Sequence, residues 1–418
     1  MQPGKNAAWL RPTPATFDKL LHSTTVPEQS DKEGVTITEK RTQFVHTGYE
    51  LDSATQAITP PVFRATTYHQ ADPWNPPTYD YARSGNPTRH AFERAMSSLE
   101  HGAMGLAFSS GMATLTAAFM LLSQGDHLIV TRDCQGGTQR VLRGVFSRFG
   151  IQVSYVDTED YPALEQALKP QTRAILIENF SNPFLHVTDI PLVSQWAHEH
   201  HLWVMVDNTF ITPYLQNPLT QGADLVIHSA TKMIGGHSDI TAGIAVAKDK
   251  DLGQQLYFIQ NACGAVLSPD DSYMSLRGLH TLPVRMDRAQ ETARKLAEVL
   301  QQHPRVDEVY YPGLATHPGY EIAQRTMRGF GQMLTIRLKD ASWVTDLAHR
   351  LTLAKVGAGF GGTETILSLP ELHCHAALTR DERRERNITP DVIRISVGLE
   401  SETDLIDDIL HALDQAES

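Results

Sequence analysis

HLWVMVDNTF (201–210) and ADLVIHSATKMIGGHSD (223–239) each carry a short apolar run that stops at a polar turn. The runs, 202–206 and 225–227, have strand length. Asp207 ends the first, and Lys232 follows the second by a few residues. The gap, 232 − 207 = 25 residues, is about one strand-plus-helix unit, so both side chains can stand at one edge of one sheet. Working outward, similar runs at 127–130, 152–156 and 174–178 alternate with helical stretches at 162–168 and 192–198. Two further helices are expected: one over 88–100, with Phe92, Met96 and Leu99 on one side, and one over 112–122, after Ser109-Ser110-Gly111. This alternation predicts an α/β fold with a mainly parallel sheet covered on both faces. Ligands of such sheets bind beyond the carboxyl ends of the strands.

After Leu267 the pattern reads as a long helix, interrupted near Pro283 and resumed to Gln302. A smaller α/β unit follows, with strands expected at 306–310, 332–337 and 392–397. The expected division is an N-terminal extension and arm (1–85), a large domain (86–285) and a C-terminal domain (286–418). Residues 1 to about 40 lack periodicity and read as an extension. ITPPVFRATTYHQADPWNPPTYDYARSGNPTR (58–89) holds too many prolines for a regular helix or central strand. It is expected to wrap over its own domain or a partner subunit.

The 418 residues are 41% hydrophobic and 20% charged, an ordinary globular balance. Lys plus Arg is 36 against 48 Asp plus Glu, a net charge of −12, which argues against nucleic-acid binding. No run approaches the roughly 18–20 apolar residues of a membrane helix, and the first 25 residues lack a secretory pattern. Three scattered cysteines, Cys134, Cys263 and Cys374, do not make a disulfide framework. The default setting is therefore reducing and cytoplasmic. No metal is expected, because the tight triplet HCH (373–375) cannot supply a tetrahedral set without distant partners.

Taken singly, Asp207 reads as a strand-end turn acid and Lys232 as a solvated loop cation. Together, at neighbouring strand ends, they match pyridoxal 5'-phosphate, which needs a lysine for its Schiff base and a carboxylate against its ring nitrogen. A phosphate cradle is also at hand. Ser109, Ser110, Gly111 and Met112 precede a helix, whose first N–H groups and dipole favour an anion. Ser229 and Thr231 flank the lysine turn with hydroxyls.

With these residues in place, the sequence resembles the cystathionine γ-synthase and γ-lyase family, the pyridoxal-phosphate enzymes of cysteine and methionine metabolism. The resemblance runs from about Thr42 to the C-terminus. It is carried by YARSGNPTR (81–89), FSSGMAT (108–114), ENFSNP (178–183), VDNTF (206–210), HSATKMIGGHSD (228–239), SLRGLHTLPVRM (275–286) and IRISVGLE (393–400). It implies fold type I, with an αβα large domain and a smaller C-terminal α/β domain. It implies that Lys232 forms the Schiff base and moves protons, and that Asp207 pairs with the ring nitrogen. Ser110, Gly111, Met112, Ser229 and Thr231 then hold the phosphate. Asn182 lies near the phenolic oxygen, and Arg394 grips the substrate carboxylate. Tyr81 and Arg83 reach the neighbouring subunit's cofactor, with Tyr81 also beside its substrate, so the implied assembly is a homotetramer built as a dimer of dimers.

Four departures from the family pattern stand out. Gln135 occupies the place of a tyrosine that stacks on the cofactor. Gly359 and Phe360 replace a serine and a leucine that lie at the substrate site. Phe180 replaces a proline. His373 and Cys374 replace less reactive residues. An intact cofactor set beside an altered acid position leads to an expected γ-elimination from a small L-amino acid, breaking a carbon–sulfur or carbon–halide bond. Open alternatives are loss of chloride from an unsaturated γ-chloro amino acid, as in the propargylglycine synthases, γ-replacement by a thiol, and a pyridoxal-phosphate-binding protein without turnover.

Overall fold

The computed structural model describes residues 39–48, 52, 54–75 and 77–417. The extension expected over 1 to about 40 lies almost wholly outside the described residues. The first sheet has seven strands: β1 (Met104–Phe108), β2 (His127–Thr131), β3 (Gln152–Val156), β4 (Thr172–Glu178), β5 (Trp203–Asp207), β6 (Leu225–His228) and β7 (Gly243–Ala247). Their order is β1-β7-β6-β5-β4-β2-β3. From β6 to β3 every pairing is parallel, and β7 runs antiparallel to both β6 and β1. The sequence reading placed five of these strands within two residues at each end and missed β1 and β7. Those two read MGLAF and GIAVA, where glycine and alanine dilute the apolar signal.

Helices cover both faces. Pro87–Glu100 starts where the Asn86 side chain accepts from the N–H groups of Thr88 and Arg89, with Pro87 in the first turn. It buries Phe92, Met96 and Leu99 as its spacing predicts. Two separate cores flank the sheet, one built on the even-numbered residues Val204, Val206 and Val226, the other on Met205, Leu225 and Ile227.

The expected interrupted helix is two helices, Pro269–His280 and Leu282–Leu300, parted at Thr281. Pro283 does not break a helix. It sits in the first turn of the second one, where its missing N–H leaves no hydrogen bond unmade. Leu282 and Met286 pack with the large-sheet core, while Ala293, Leu296 and Leu300 pack with the second sheet. That sheet holds β8 (Val306–Tyr310), β9 (Met333–Leu338), β10 (Lys355–Val356), β11 (Ile366–Ser368) and β12 (Val392–Ser396), in the order β10-β11-β12-β9-β8. Between Gln56 and Asn86 the described chain forms no helix. Its only sheet-type contact is a bridge from Thr67 to Tyr81, and it leaves Ile58 and Trp74 in solvent.

Candidate active site

Strands β4, β5 and β6 end at a cavity of about 310 Å³. The second sheet closes it through Arg394 of β12 and residues 358–360. The lining gathers Ser110, Gly111, Met112, Gln135, Asn182, Asp207, Ser229, Thr231, Lys232, Gly359 and Arg394. Tyr81 and Arg83 are not among them. Arg83 donates instead to the carbonyl and the side-chain oxygen of Asn261, and Tyr81 is 42% exposed.

Asp207 is buried, and one carboxylate oxygen accepts from the Thr209 N–H (3.1 Å) and hydroxyl (2.5 Å). Burial pushes its pKa up, while those two bonds pull it back. Sequence reasoning gave no role to its neighbour Glu178. The register of β4 on β5 pairs Glu178 with Asp207, so the two carboxyls sit side by side on one face. Glu178 accepts from the Gln135 N–H (2.8 Å), and its pKa rises well above the carboxylate range through burial and then the Asp207 charge. The signal was available: both residues end adjacent apolar runs.

Lys232 stands on a tight turn after β6, set by Lys232 N–H to Ser229 O (3.1 Å) and Gly235 N–H to Ala230 O (2.8 Å). Arg285 reaches into this turn from the helix Leu282–Leu300. Its guanidinium donates to the carbonyls of Met233 (2.6 Å), Ile234 (3.2 Å) and Gly278 (2.7 Å). The SLRGLHTLPVRM block therefore holds the lysine turn from behind. Burial, with the nearby Arg394 charge, lowers the Lys232 pKa to about 8. Below that value the amine is protonated; above it, it is a neutral nucleophile. Capture of pyridoxal phosphate by the cofactor-free protein should thus accelerate from pH 6 to 9 with a midpoint near 8, followed by absorbance. A midpoint above 10, as for a solvated lysine, contradicts this.

At the far wall, the helix Gly111–Phe119 begins at Ser110, whose side chain accepts from the Ala113 N–H (3.0 Å). A Cβ at Gly111 would lie 2.6 Å from that of Ser229, so glycine is required for this close approach. Thr231 lines the cavity too, but its hydroxyl already exchanges bonds with the Ala242 carbonyl and N–H.

Arg394 is buried and donates to Asn182 (3.0 Å) and more weakly to Gly359 O and Ser368 (both 3.3 Å). Its Nε is buried without a hydrogen-bond partner, which suits an incoming carboxylate. Asn182, expected at the cofactor, thus also fixes the guanidinium. Gln135 turns its amide onto the Met112 sulfur (3.3 Å). His373 and Cys374 both reach the lining, with the Cys374 thiol 3.1 Å from His375 Nδ1.

Paired buried carboxyls, a helix start open to an anion and a lysine of lowered pKa fit an anionic aldehyde built on a basic nitrogen ring. A sequence profile of the Cys/Met metabolism PLP-dependent enzymes matches residues 41–414. The chain belongs to this family. Cystathionine beta-lyase MetC of Bacillus subtilis (strain 168) is 46% identical over 372 residues, covering 89% of this chain and 95% of that protein. Cystathionine gamma-lyase of the same organism is 43% identical, covering 90% and 99%. Among solved structures, cystathionine gamma-lyase from Lactobacillus plantarum complexed with L-serine superposes with a TM-score of 0.88 at 39% identity, covering 90% and 99%. As a Cys/Met metabolism enzyme, the chain has fold type I and depends on pyridoxal phosphate, and its class of reaction is that of the lyases and synthases around it. Among the described residues no helix is long and apolar enough to cross a membrane.

Proposed function

We propose that the chain catalyses γ-elimination from a small L-amino acid. For a thioether, RS–CH₂CH₂CH(NH₃⁺)COO⁻ and water give RSH, ammonium and 2-oxobutanoate, which balances. Bound pyridoxal phosphate supplies an electron sink for negative charge at Cα. Arg394 orients the α-carboxylate, and Lys232 takes the Cα proton and moves protons at Cβ. Asp207 keeps the ring nitrogen protonated. The first N–H groups of the helix at Gly111, with Ser229, hold the phosphate. Asn182 steadies Arg394.

The observation that carries the specialised form of this reading is Gln135. An amide stands in the cavity where the family pattern has a phenol, and it is no practical general acid. Leaving groups of low basicity, halide among them, suit such a site. That observation also supports a second reading, loss of chloride from an unsaturated γ-chloro amino acid. The outward positions of Tyr81 and Arg83, off this chain's own cavity, support their serving a neighbour's site in a homo-oligomer.

Ammonia and keto-acid release should proceed without added thiol across a panel of γ-substituted amino acids, halogenated ones included. Strictly thiol-dependent turnover would move the reading to γ-replacement, and absence of Cα deuterium exchange with any amino acid to a non-catalytic binder. Gln135→Tyr should raise kcat/KM on ordinary thioethers by about 10²-fold, the low end of general-acid contributions. No gain removes the leaving-group argument.

A further inference from the structure

We propose that Phe360 determines substrate specificity, selecting amino acids whose γ-substituent is apolar and uncharged over those of equal length that end in a second zwitterion. The proposal rests on the γ-elimination reading only for its choice of probes. Its basis is the placement of one ring. The loop around Phe360 is bent inward by two glycines with positive φ, Gly359 (+114°) and Gly361 (+82°). It is pinned on both sides: Gly361 N–H donates to Ser396 Oγ (2.8 Å), and Gly359 O accepts from Arg394. A Cβ at Gly361 would lie 2.7 Å from the Met233 backbone nitrogen, so the loop presses directly on the lysine turn. The Phe360 ring is thereby held in the cavity, 4.7 Å from Lys232 Nζ and 4.9 Å from the Arg394 guanidinium carbon. Edge contact with Phe210, centroids 4.8 Å apart at 81°, fixes its tilt.

An amino acid with its carboxylate on Arg394 and its Cα within reach of Lys232 must lie along this ring. Both cations are then committed, one to the carboxylate and one to proton transfer at the cofactor. With Arg394 paired to the α-carboxylate and Lys232 engaged at Cα, a distal carboxylate finds no free cation on this wall and meets an aromatic face that offers no donor. Phe180 and Phe210 continue the apolar surface. An apolar γ-substituent gains contact there, whereas a distal carboxylate laid on the same wall leaves water without a donor to replace it.

S-propyl-L-homocysteine and L-cystathionine test this, since they share the γ-thioether and the chain length and differ in the distal charges. Dissociation constants are read from the absorbance of the holoenzyme, and kcat/KM from keto-acid release. The wild type should favour the propyl compound at least tenfold, a discrimination of the size apolar pockets achieve. Phe360→Leu should cut the preference at least fivefold with cofactor absorbance intact, and Phe360→Tyr, which keeps the ring, should retain it. Where the leucine variant fails to hold cofactor, Phe360→Met carries the same expectation. Equal affinities in the wild type, or a preference unchanged without the ring, overturn the proposal. Keto acid from neither thioether counts against γ-elimination of thioethers, and the affinity ratio then still decides on Phe360.

Discussion

Replacing Lys232 with alanine should lower turnover by about 10⁴-fold, the upper range for a positioned acid–base group. The residue has no substitute near by. The remaining basic side chains lining the cavity are Arg394, held by Asn182, and His373, on a different loop of the second sheet's side. On the proposed assignment, removing the amine also removes the point of covalent attachment to the cofactor. Borohydride treatment of the loaded wild type should therefore leave a stable adduct on the peptide containing Lys232, and the variant should show no added mass. A variant that keeps its adduct, or turnover within tenfold of wild type, contradicts the assignment. The Arg285 bonds to the turn are made by backbone carbonyls of Met233 and Ile234, so the alanine variant should fold with its turn intact.

The second large effect concerns Arg394. Arg394→Leu should reduce kcat/KM by about 10²–10³-fold, mostly as a rise in KM. The proposed two-point, charge-assisted contact to carboxylate would be worth about 3–4 kcal/mol, at about 1.36 kcal/mol for each factor of ten. Arg394→Lys should recover only part of this, because an ammonium cannot reproduce the planar fork that Asn182, Gly359 and Ser368 hold in place. The check is a pair of ligands, an amino acid and the amine that lacks its carboxylate. The wild type should separate them widely, and the leucine variant should bind both alike. An equal loss of affinity for both would assign Arg394 a structural role instead.

Much of this site was readable in the sequence because its residues lie at strand ends. Asp207 closes β5 and Lys232 follows β6, so the apolar runs themselves pointed to the cavity edge. Glu178 was equally readable by position, but a carboxyl at the end of one run carries no meaning until its partner strand is known. The register of β4 on β5 supplies that partner. Strands β1 and β7 escaped because small residues blur the strand signal, and β10 and β11 because two or three residues make no pattern. Gln135, Gly359 and Phe360 were visible as departures, yet only the folded chain shows the ring of Phe360 between two cations. These contacts join Phe360 to residues 128 positions before it and 34 after it, which no local period encodes.

The helix Leu282–Leu300 spans about 28 Å, taking 1.5 Å per residue over its 19 residues. One end is buried with the sheet that carries Asp207 and the lysine turn, and the other with the sheet that carries Arg394. It also sends Arg285 into the lysine turn. The helix thus ties the wall that carries Arg394 to the turn that carries Lys232, and a substitution that loosens its packing at either end should disturb the spacing between the two.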